Sequence, residues 1–322
     1  MAKESGLHIV PAAYDLAPPL ERFALGAGGS NNETFGLRTG AGVLVVKRYR
    51  AARGREAVAY EHRLLALLAV AGLPFAVPAP LPTRDGKTLV WDGGEWLALF
   101  PLLPGARPDE RDPQVAEQVG VALGRLHGAL APLPTTPHPT LRPYGDLEHV
   151  HPALPDPAAL PLADEDAAWW RAELAAVRAF AGGAYRALPR QLTHGDFTPA
   201  NTLFAGGRLA AVVDFEHAQP DARAIDLAAG LFFTLRPWET PVRWEAAAAL
   251  CRGYRRHVQL TAQEAAALPE LMRLRNAVSL VWRFGHQPAK APKRLAWTRA
   301  TAAWLERHGG KLVAVAQEEV QS

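Results

Sequence analysis

Residues 192–218 read LTHGDFTPANTLFAGGRLAAVVDFEHA, and they place hard oxygen donors at intervals that suit phosphate chemistry. Asp196 and Asn201 are five positions apart, and Asp214 follows thirteen later, at the end of the apolar run LAAVV. Ala205-Gly206-Gly207 reads as a hairpin turn, whose strands would return Asp214 beside the loop that carries Asp196 and Asn201. Mg²⁺ takes few protein oxygens together with phosphates and water, so Asp214 and Asn201 are read as its ligands. Asp196 is then the spare carboxylate, placed to accept the proton of an attacking hydroxyl. His194 is read as a structural residue that holds the loop by a hydrogen bond. The competing reading is a loop Asp, a turn Asn and a capping Asp that coincide.

A base with a magnesium site implies a phosphoryl donor, and the donor needs a grip on its phosphates. Only six of the 35 basic residues are lysines, and Lys47 ends the strand VLVVK on the face of Val43 and Val45. A lysine on a half-buried strand face seeks an anion; the alternative is a strand-end lysine that snorkels to water. In the next helix Glu61 shares a face with Ala57, Val58, Leu64, Leu65 and Leu68, where a carboxylate is costly unless paired. Lys47 with Glu61 is therefore the expected pair, with Glu56 on a more polar face as the alternative. Upstream, Gly26-Ala27-Gly28-Gly29-Ser30 could cover phosphates with backbone N–H groups or be an ordinary hairpin turn.

The elements that must position these residues divide into two regions. From Leu25 to Tyr49, apolar and β-branched runs broken by Gly and Asn predict two strands and a turn. Residues 55–71 switch to helical spacing, and Val77–Pro82 is a proline-broken connection. TLVWDGGEWLALFPLLPG predicts a second hairpin turning at Asp92-Gly93-Gly94. Residues 1–104 are assigned to a β-rich lobe with one helix, and residues 105–322 to a mostly helical lobe. In the latter, 113–130 places Val115, Val119, Leu123, Leu126 and Leu130 on one face behind an opening proline. Residues 131–162 are proline-rich and read as a long loop; helices are predicted at 165–181, 241–258, 262–285 and 293–309. The third begins with the capping box Thr261-x-x-Glu264.

Composition removes several function classes. The chain of 322 residues is 49% hydrophobic and 21% charged, ordinary for a soluble globular protein. Its net charge of +3 comes from scattered arginines rather than a basic patch with interleaved aromatics, which excludes nucleic acid as the expected partner. MAKESGLHIVPAAYDL lacks the apolar core of a signal peptide and no uncharged run of roughly 18 apolar residues occurs, so a cytoplasmic protein without a membrane anchor is expected. The single cysteine, Cys251, can form neither a disulfide nor a thiolate metal site within one chain and is read as a packing residue.

Together these segments resemble the aminoglycoside phosphotransferase/choline kinase family of kinase-like, small-molecule phosphotransferases. HGDFTPAN is similar to the family's catalytic loop, VVDFEHA to its metal-binding Asp segment and ALFPLLPG to the connection between its lobes. ALGRLHGAL and DARAIDLA also match, over roughly residues 20 to 230 in order. The resemblance implies an α+β, two-lobed protein-kinase-like fold that binds ATP and Mg²⁺ and moves the γ-phosphate to a hydroxyl of a small metabolite. It makes Asp196 the base, Asn201 and Asp214 the metal ligands, Lys47 the phosphate-binding lysine and Glu61 its helix partner. The backbone around Phe100 to Leu102 would take adenine, Gly28 and Ser30 would lie near the phosphates, and Asp226 would brace the catalytic loop from behind. His127 matches a family position and is read as a satisfied core histidine. The Gly-rich turn lacks the full G-x-G-x-x-G spacing of kinases.

NNETF and LPELMRLRNAVSLVWRFGH are most similar to bacterial type II homoserine kinases and their relatives. From His217 onward 15 Lys and Arg face 9 Asp and Glu, the opposite of what a polycationic aminoglycoside needs. Asn276, Ser279 and Arg283 fall on one helix face, where a guanidinium could hold a carboxylate or the face could simply be solvated. The expected acceptor is therefore neutral or carries a carboxylate, such as homoserine or a similar amino alcohol or sugar. Aminoglycoside modification and a non-catalytic nucleotide-binding scaffold are the alternatives, and the sequence leaves oligomeric state open.

Overall fold

The period-two alternation near the N-terminus becomes an antiparallel sheet in the computed structural model, which describes residues 9–25, 32–50 and 53–318. Its strands are β1 (Glu21–Phe23), β2 (Glu33–Thr39), β3 (Gly42–Tyr49), β4 (Val90–Asp92) and β5 (Glu95–Pro101), in the order β1-β2-β3-β5-β4. β3 is central, pairing Thr34 with Lys47 on one side and Lys47 with Ala98 on the other. Because side chains alternate, Phe35, Leu37, Val46, Leu97 and Leu99 form one face. Val10 and Tyr14 of a short helix α1 (Ile9–Tyr14) pack on that face. Leu37, Val46 and Leu99 are fully buried there, each worth roughly 1.5–3 kcal/mol. The opposite face carries Lys47 and Tyr49, and it meets helix α2 (Arg55–Ala69) through the Lys47–Glu61 and Tyr49–His62 contacts.

Two compact units divide the chain. The first comprises residues up to Ala106 with His138–Thr140 and Leu203–Glu216; the second comprises Arg107–Pro137, Leu141–Thr202 and the residues from His217 onward. The sequence reading cut the chain once, at 104/105, and left the Asp214 segment in the second region. In the structure the hairpin of β7 (Thr202–Ala205) and β8 (Arg208–Val212) is mostly part of the first unit. Backbone hydrogen bonds tie it there: Ala76 N to Ala210 O (2.9 Å), Val212 N to Ala76 O (3.0 Å) and Phe204 N to Ala106 O (2.8 Å).

The second unit is built on helices. α3 (Pro113–Leu130) starts where the sequence puts it, with the Asp112 side chain accepting from Gln114 N and proline in the first turn. It lies close along α6 (Trp244–Arg255), where glycines replace side chains on both helices. A Cβ on Gly120 would stand 2.0 Å from Leu250 O, and one on Gly253 would stand 2.1 Å from Glu117 O. α4 spans Asp164–Gly182. α7 (Ala262–His286) opens with the predicted capping box, and α8 (Ala291–Gln317) runs well past the expected end at residue 309. Gly309 does not stop it, because that residue is buried against Pro269 of α7 and the following Leu312, Val315 and Ala316 are buried as well.

Helix α5 (Ala224–Leu235) was not foreseen: AIDLAAGLFFTL is buried on nearly all sides and shows no amphipathic period. The proline-rich 131–162 segment has two short 3₁₀ turns, Leu147–His149 and Pro157–Ala159, and is pinned by Trp170, whose indole N–H donates to Pro157 O at 2.7 Å. Cys251 is buried in α6, and burial pushes its thiol up to about 12, as suits a packing residue. Among the described residues no helix is long and apolar enough to cross a membrane.

Candidate active site

In the first unit the site begins at Lys47. Its Nζ lies 3.2 Å from Glu61 Oε1, so the carboxylate in the apolar stripe of α2 meets the lysine of β3, and Glu56 is exposed. Two further charged residues complete the cluster. Arg53 donates to Glu61 Oε2 at 2.7 Å and to Glu216 Oε2 at 2.6 Å, with a third bond to Glu216 O at 3.0 Å. Glu216 also accepts from Asn32 and lies 3.9 Å from Lys47 Nζ. Burial alone would lower the Lys47 pKa, but Glu61, Glu216 and Asp214 outweigh it, so the ammonium is held charged.

Asp214 leaves β8 in a left-handed backbone conformation, φ 69°. Asp tolerates this region better than most side chains, yet the position is one of only three non-glycine residues with positive φ among the described residues. Phe100 is buried on the Lys47 face of β5, its ring 5.6 Å from that of His62, and Leu102 just beyond the strand is 47% exposed. Gly28 and Ser30 lie outside the described residues.

In the second unit the antiparallel pair β6 (Arg190–Thr193) and β9 (Gln219–Ala222) flanks the loop that carries Asp196. Asp226 of α5 is fully buried behind this loop. Its Oδ2 accepts from His194 N at 2.7 Å, and its Oδ1 accepts from Gly195 N at 2.8 Å. His127 Nε2 lies 3.2 Å from Oδ2, and the other ring nitrogen of His127 meets Tyr254 Oη at 3.0 Å, so this histidine is a satisfied core residue. Burial pushes the Asp226 pKa up, but the His127 hydrogen bond with the His127 and His194 charges outweighs it, and the net direction is down. Gly195 has φ 79°, and a Cβ there would stand 2.1 Å from His217 O. The loop thus needs glycine for two separate reasons.

Held this way, the loop presents Asp196, whose carboxylate is 35% exposed. Arg275 of α7 donates to Asp196 Oδ1 at 2.8 Å. Asn201 Nδ2 donates to the Asp196 carbonyl at 2.9 Å and reaches Oδ2 at 3.5 Å, which turns its amide oxygen the other way. The Asp196 N–H donates to His194 Nδ1 at 3.3 Å. Tyr144, from the proline-rich segment, donates its hydroxyl to Gly195 O at 2.9 Å and receives the Arg275 guanidinium 5.5 Å from its ring centre.

Sequence reasoning missed Arg53, Glu216, Tyr144 and Arg275. Arg275 lies in the quoted RLRN stretch, one position from the face assigned to Asn276, Ser279 and Arg283. That assignment needs correcting for Asn276, which is 4% exposed and has both amide groups in use. Its nitrogen donates to Met272 O at 3.0 Å, and its oxygen accepts from Arg294 at 2.9 Å. Arg283 donates to Gln287 and lies over the Trp282 ring at 5.3 Å. Among the described residues no group of three or more His, Cys, Asp and Glu side chains is arranged to hold a metal.

A sheet carrying a paired lysine and glutamate, with a separate helical unit carrying a braced Asp loop, is the arrangement of kinase-like phosphotransferases. The chain belongs to the phosphotransferase enzyme family (APH), which it matches over residues 23–268. It is similar to the homoserine kinase of Sinorhizobium medicae (strain WSM419), 31% identical over 264 residues that cover 81% of this chain and 78% of that one. Among solved structures it is similar to a microcompartment-associated aminopropanol kinase, with TM-score 0.73, 21% identity and coverage of 96% and 99% of the two chains. An amicoumacin kinase solved with AMP-PNP and Ca²⁺ has TM-score 0.70 at 15% identity, covering 94% of this chain and 92% of the other. The fold is thus protein-kinase-like, and the chain is a small-molecule phosphotransferase with an alcohol group as acceptor.

Proposed function

We propose that the enzyme moves the γ-phosphate of ATP, with Mg²⁺, to the hydroxyl of a small metabolite of the homoserine or amino-alcohol kind. The observation that carries this reading is the Asp196 loop: both backbone N–H groups before Asp196 are fixed by Asp226, and Arg275 pins Oδ1. Oδ2, with only the 3.5 Å Asn201 contact, is then the oxygen that accepts the hydroxyl proton as the alcohol oxygen bonds to phosphorus and ADP leaves. Lys47, kept charged and aimed by Glu61, holds donor phosphates, and the backbone near Phe100 and Leu102 takes the base.

Asp214 and Asn201 suit a hard cation, since each offers oxygen and the Asn201 nitrogen is already committed to the Asp196 carbonyl. When bound, the metal neutralises phosphate charge. Among acceptors, the excess of Lys and Arg from His217 onward disfavours an aminoglycoside.

ADP release with ATP and Mg²⁺ across homoserine, amino alcohols, sugars and kanamycin tests the reading. Turnover with a small alcohol is expected, falling about 10²- to 10⁴-fold in Asp196→Asn while nucleotide still binds. Nucleotide binding without turnover on any alcohol would instead make this a scaffold, and a large preference for kanamycin would make it an antibiotic-modifying enzyme.

A further inference from the structure

Helices α7 and α8 gather three arginines, Arg275, Arg283 and Arg294, and among the described residues only one of them has a carboxylate partner. Arg275 bonds Asp196; Arg283 bonds Gln287. Arg294 has only Asn276 Oδ1, at 2.9 Å, and the face of Trp297, whose ring centre is 4.0 Å from its guanidinium carbon. Its Nε is buried without a hydrogen-bond partner. Elsewhere in the same unit the partly buried arginines are matched: Arg273 with Glu173, and Arg223 with Glu264 at 2.6 Å. Burial, then the like charges of Arg275 and Arg283, lower the Arg294 pKa to about 9. A guanidinium held in this way against its own electrostatics is stabilised by whatever anion reaches it.

The place narrows the anion. Arg294 bonds the residue next to Arg275, and Arg275 holds the carboxylate read as the base. Donor phosphates already have Lys47 and the proposed metal ligands to receive them. What must come close to Asp196 is the acceptor. A guanidinium whose plane is fixed by a tryptophan face presents its fork edge-on, the geometry that binds a carboxylate through two hydrogen bonds.

We propose that Arg294, supported by Arg283, receives a carboxylate of the acceptor, so that the enzyme selects hydroxy acids over alcohols that lack the acid group. The sequence reading gave this role to Asn276 and Arg283; Asn276 instead holds Arg294 in place through its amide oxygen. The proposal rests on the phosphotransfer reading above.

The test compares L-homoserine with 3-aminopropan-1-ol, which is the same molecule without its carboxylate, by steady-state ADP release. The wild-type enzyme is expected to favour homoserine in kcat/KM by about 10- to 100-fold, the range of a charge-assisted bidentate contact. Arg294→Gln is expected to bring that ratio close to one, chiefly through KM for homoserine, and Arg294→Lys, which keeps the charge but loses the fork, to fall between. Equal wild-type use of the two acceptors overturns the proposal without any variant, and so does an Arg294→Gln that slows both alike and keeps the ratio. Transfer to neither acceptor, nor to any other alcohol, defeats the phosphotransfer reading itself and is told apart by that general silence.

Discussion

Replacing Asp226 with asparagine tests how far the loop depends on its buried brace. The carboxylate accepts from His194 N at 2.7 Å, from Gly195 N at 2.8 Å and from His127 at 3.2 Å, with no exposure to water. An asparagine offers one oxygen and one NH₂ in the same space, so one of the two backbone N–H groups must face another donor. Leaving a buried donor unpaired costs about 1–3 kcal/mol, and losing a bond to a charged acceptor costs about 1.5–3 kcal/mol. Asp226→Asn should therefore lower the unfolding free energy by about 3–5 kcal/mol, a range that agrees with breaking a buried pair from one side. Urea denaturation followed by circular dichroism measures the first effect. Turnover of the folded fraction measures the second, and it should drop more than about tenfold because a loosened loop misplaces Asp196. A variant within about 1 kcal/mol of wild type and with full turnover would refute the view that Asp226 positions the loop.

Three further perturbations follow from the geometry. In Gly195→Ala the new Cβ would meet His217 O at 2.1 Å in a backbone conformation with φ 79°, so stability should fall by about 2 kcal/mol or more, read as a lower urea midpoint. In Asp214→Ala, nucleotide affinity measured by calorimetry should lose its dependence on Mg²⁺; an unchanged dependence would take Asp214 out of the metal site. His62 is buried between Tyr49 and Thr88, and burial lowers its pKa from 6.5 to about 4. The folded protein keeps it neutral while the unfolded chain protonates below 6.5, so its contribution is intact above that pH. It is lost as pH falls from 6.5 toward 4, by about 3 kcal/mol at about 1.4 kcal/mol per pH unit. Stability of His62→Gln should fall less steeply over that window.

Legibility of the chain followed the range of the signals. Local ones were clear: Pro113 announces the start of α3, Thr261 and Glu264 cap α7, and the stripe of α2 singled out Glu61 as a carboxylate needing a cation. The Lys47–Glu61 pair could be found because strand and helix each carry one charge on an apolar face. α5 escaped because a helix buried all round has no polar side to mark its period, and α8 outran its glycines because packing on Pro269 overrides their low propensity. Arg275 and Arg294 escaped for a different reason. Arg275 stands about 100° around α7 from the Asn276 face that was read, and nothing local tells which side of α7 meets the Asp196 loop, 79 positions away; Arg294 lies on α8, in a stretch where several cations look alike in sequence. Arg53 with Glu216 spans 163 positions, and nothing in either neighbourhood announces the other.

That last pair also constrains how the sequence can change. Glu61 and Glu216 share Arg53 and Lys47 in a cluster where each carboxylate is almost wholly enclosed. Exchanging any one of the four for a neutral residue strands an opposite charge away from water, at about 3–5 kcal/mol, a large part of a typical folding margin. With Lys47 and Glu61 kept for the proposed phosphate grip, a lineage could leave this arrangement by altering Arg53 and Glu216 in concert, or by crossing a deep fitness valley between them. The two positions should behave as one heritable unit, so that in a library randomised at both, survivors would be sorted by the sum of their charges rather than by either residue alone.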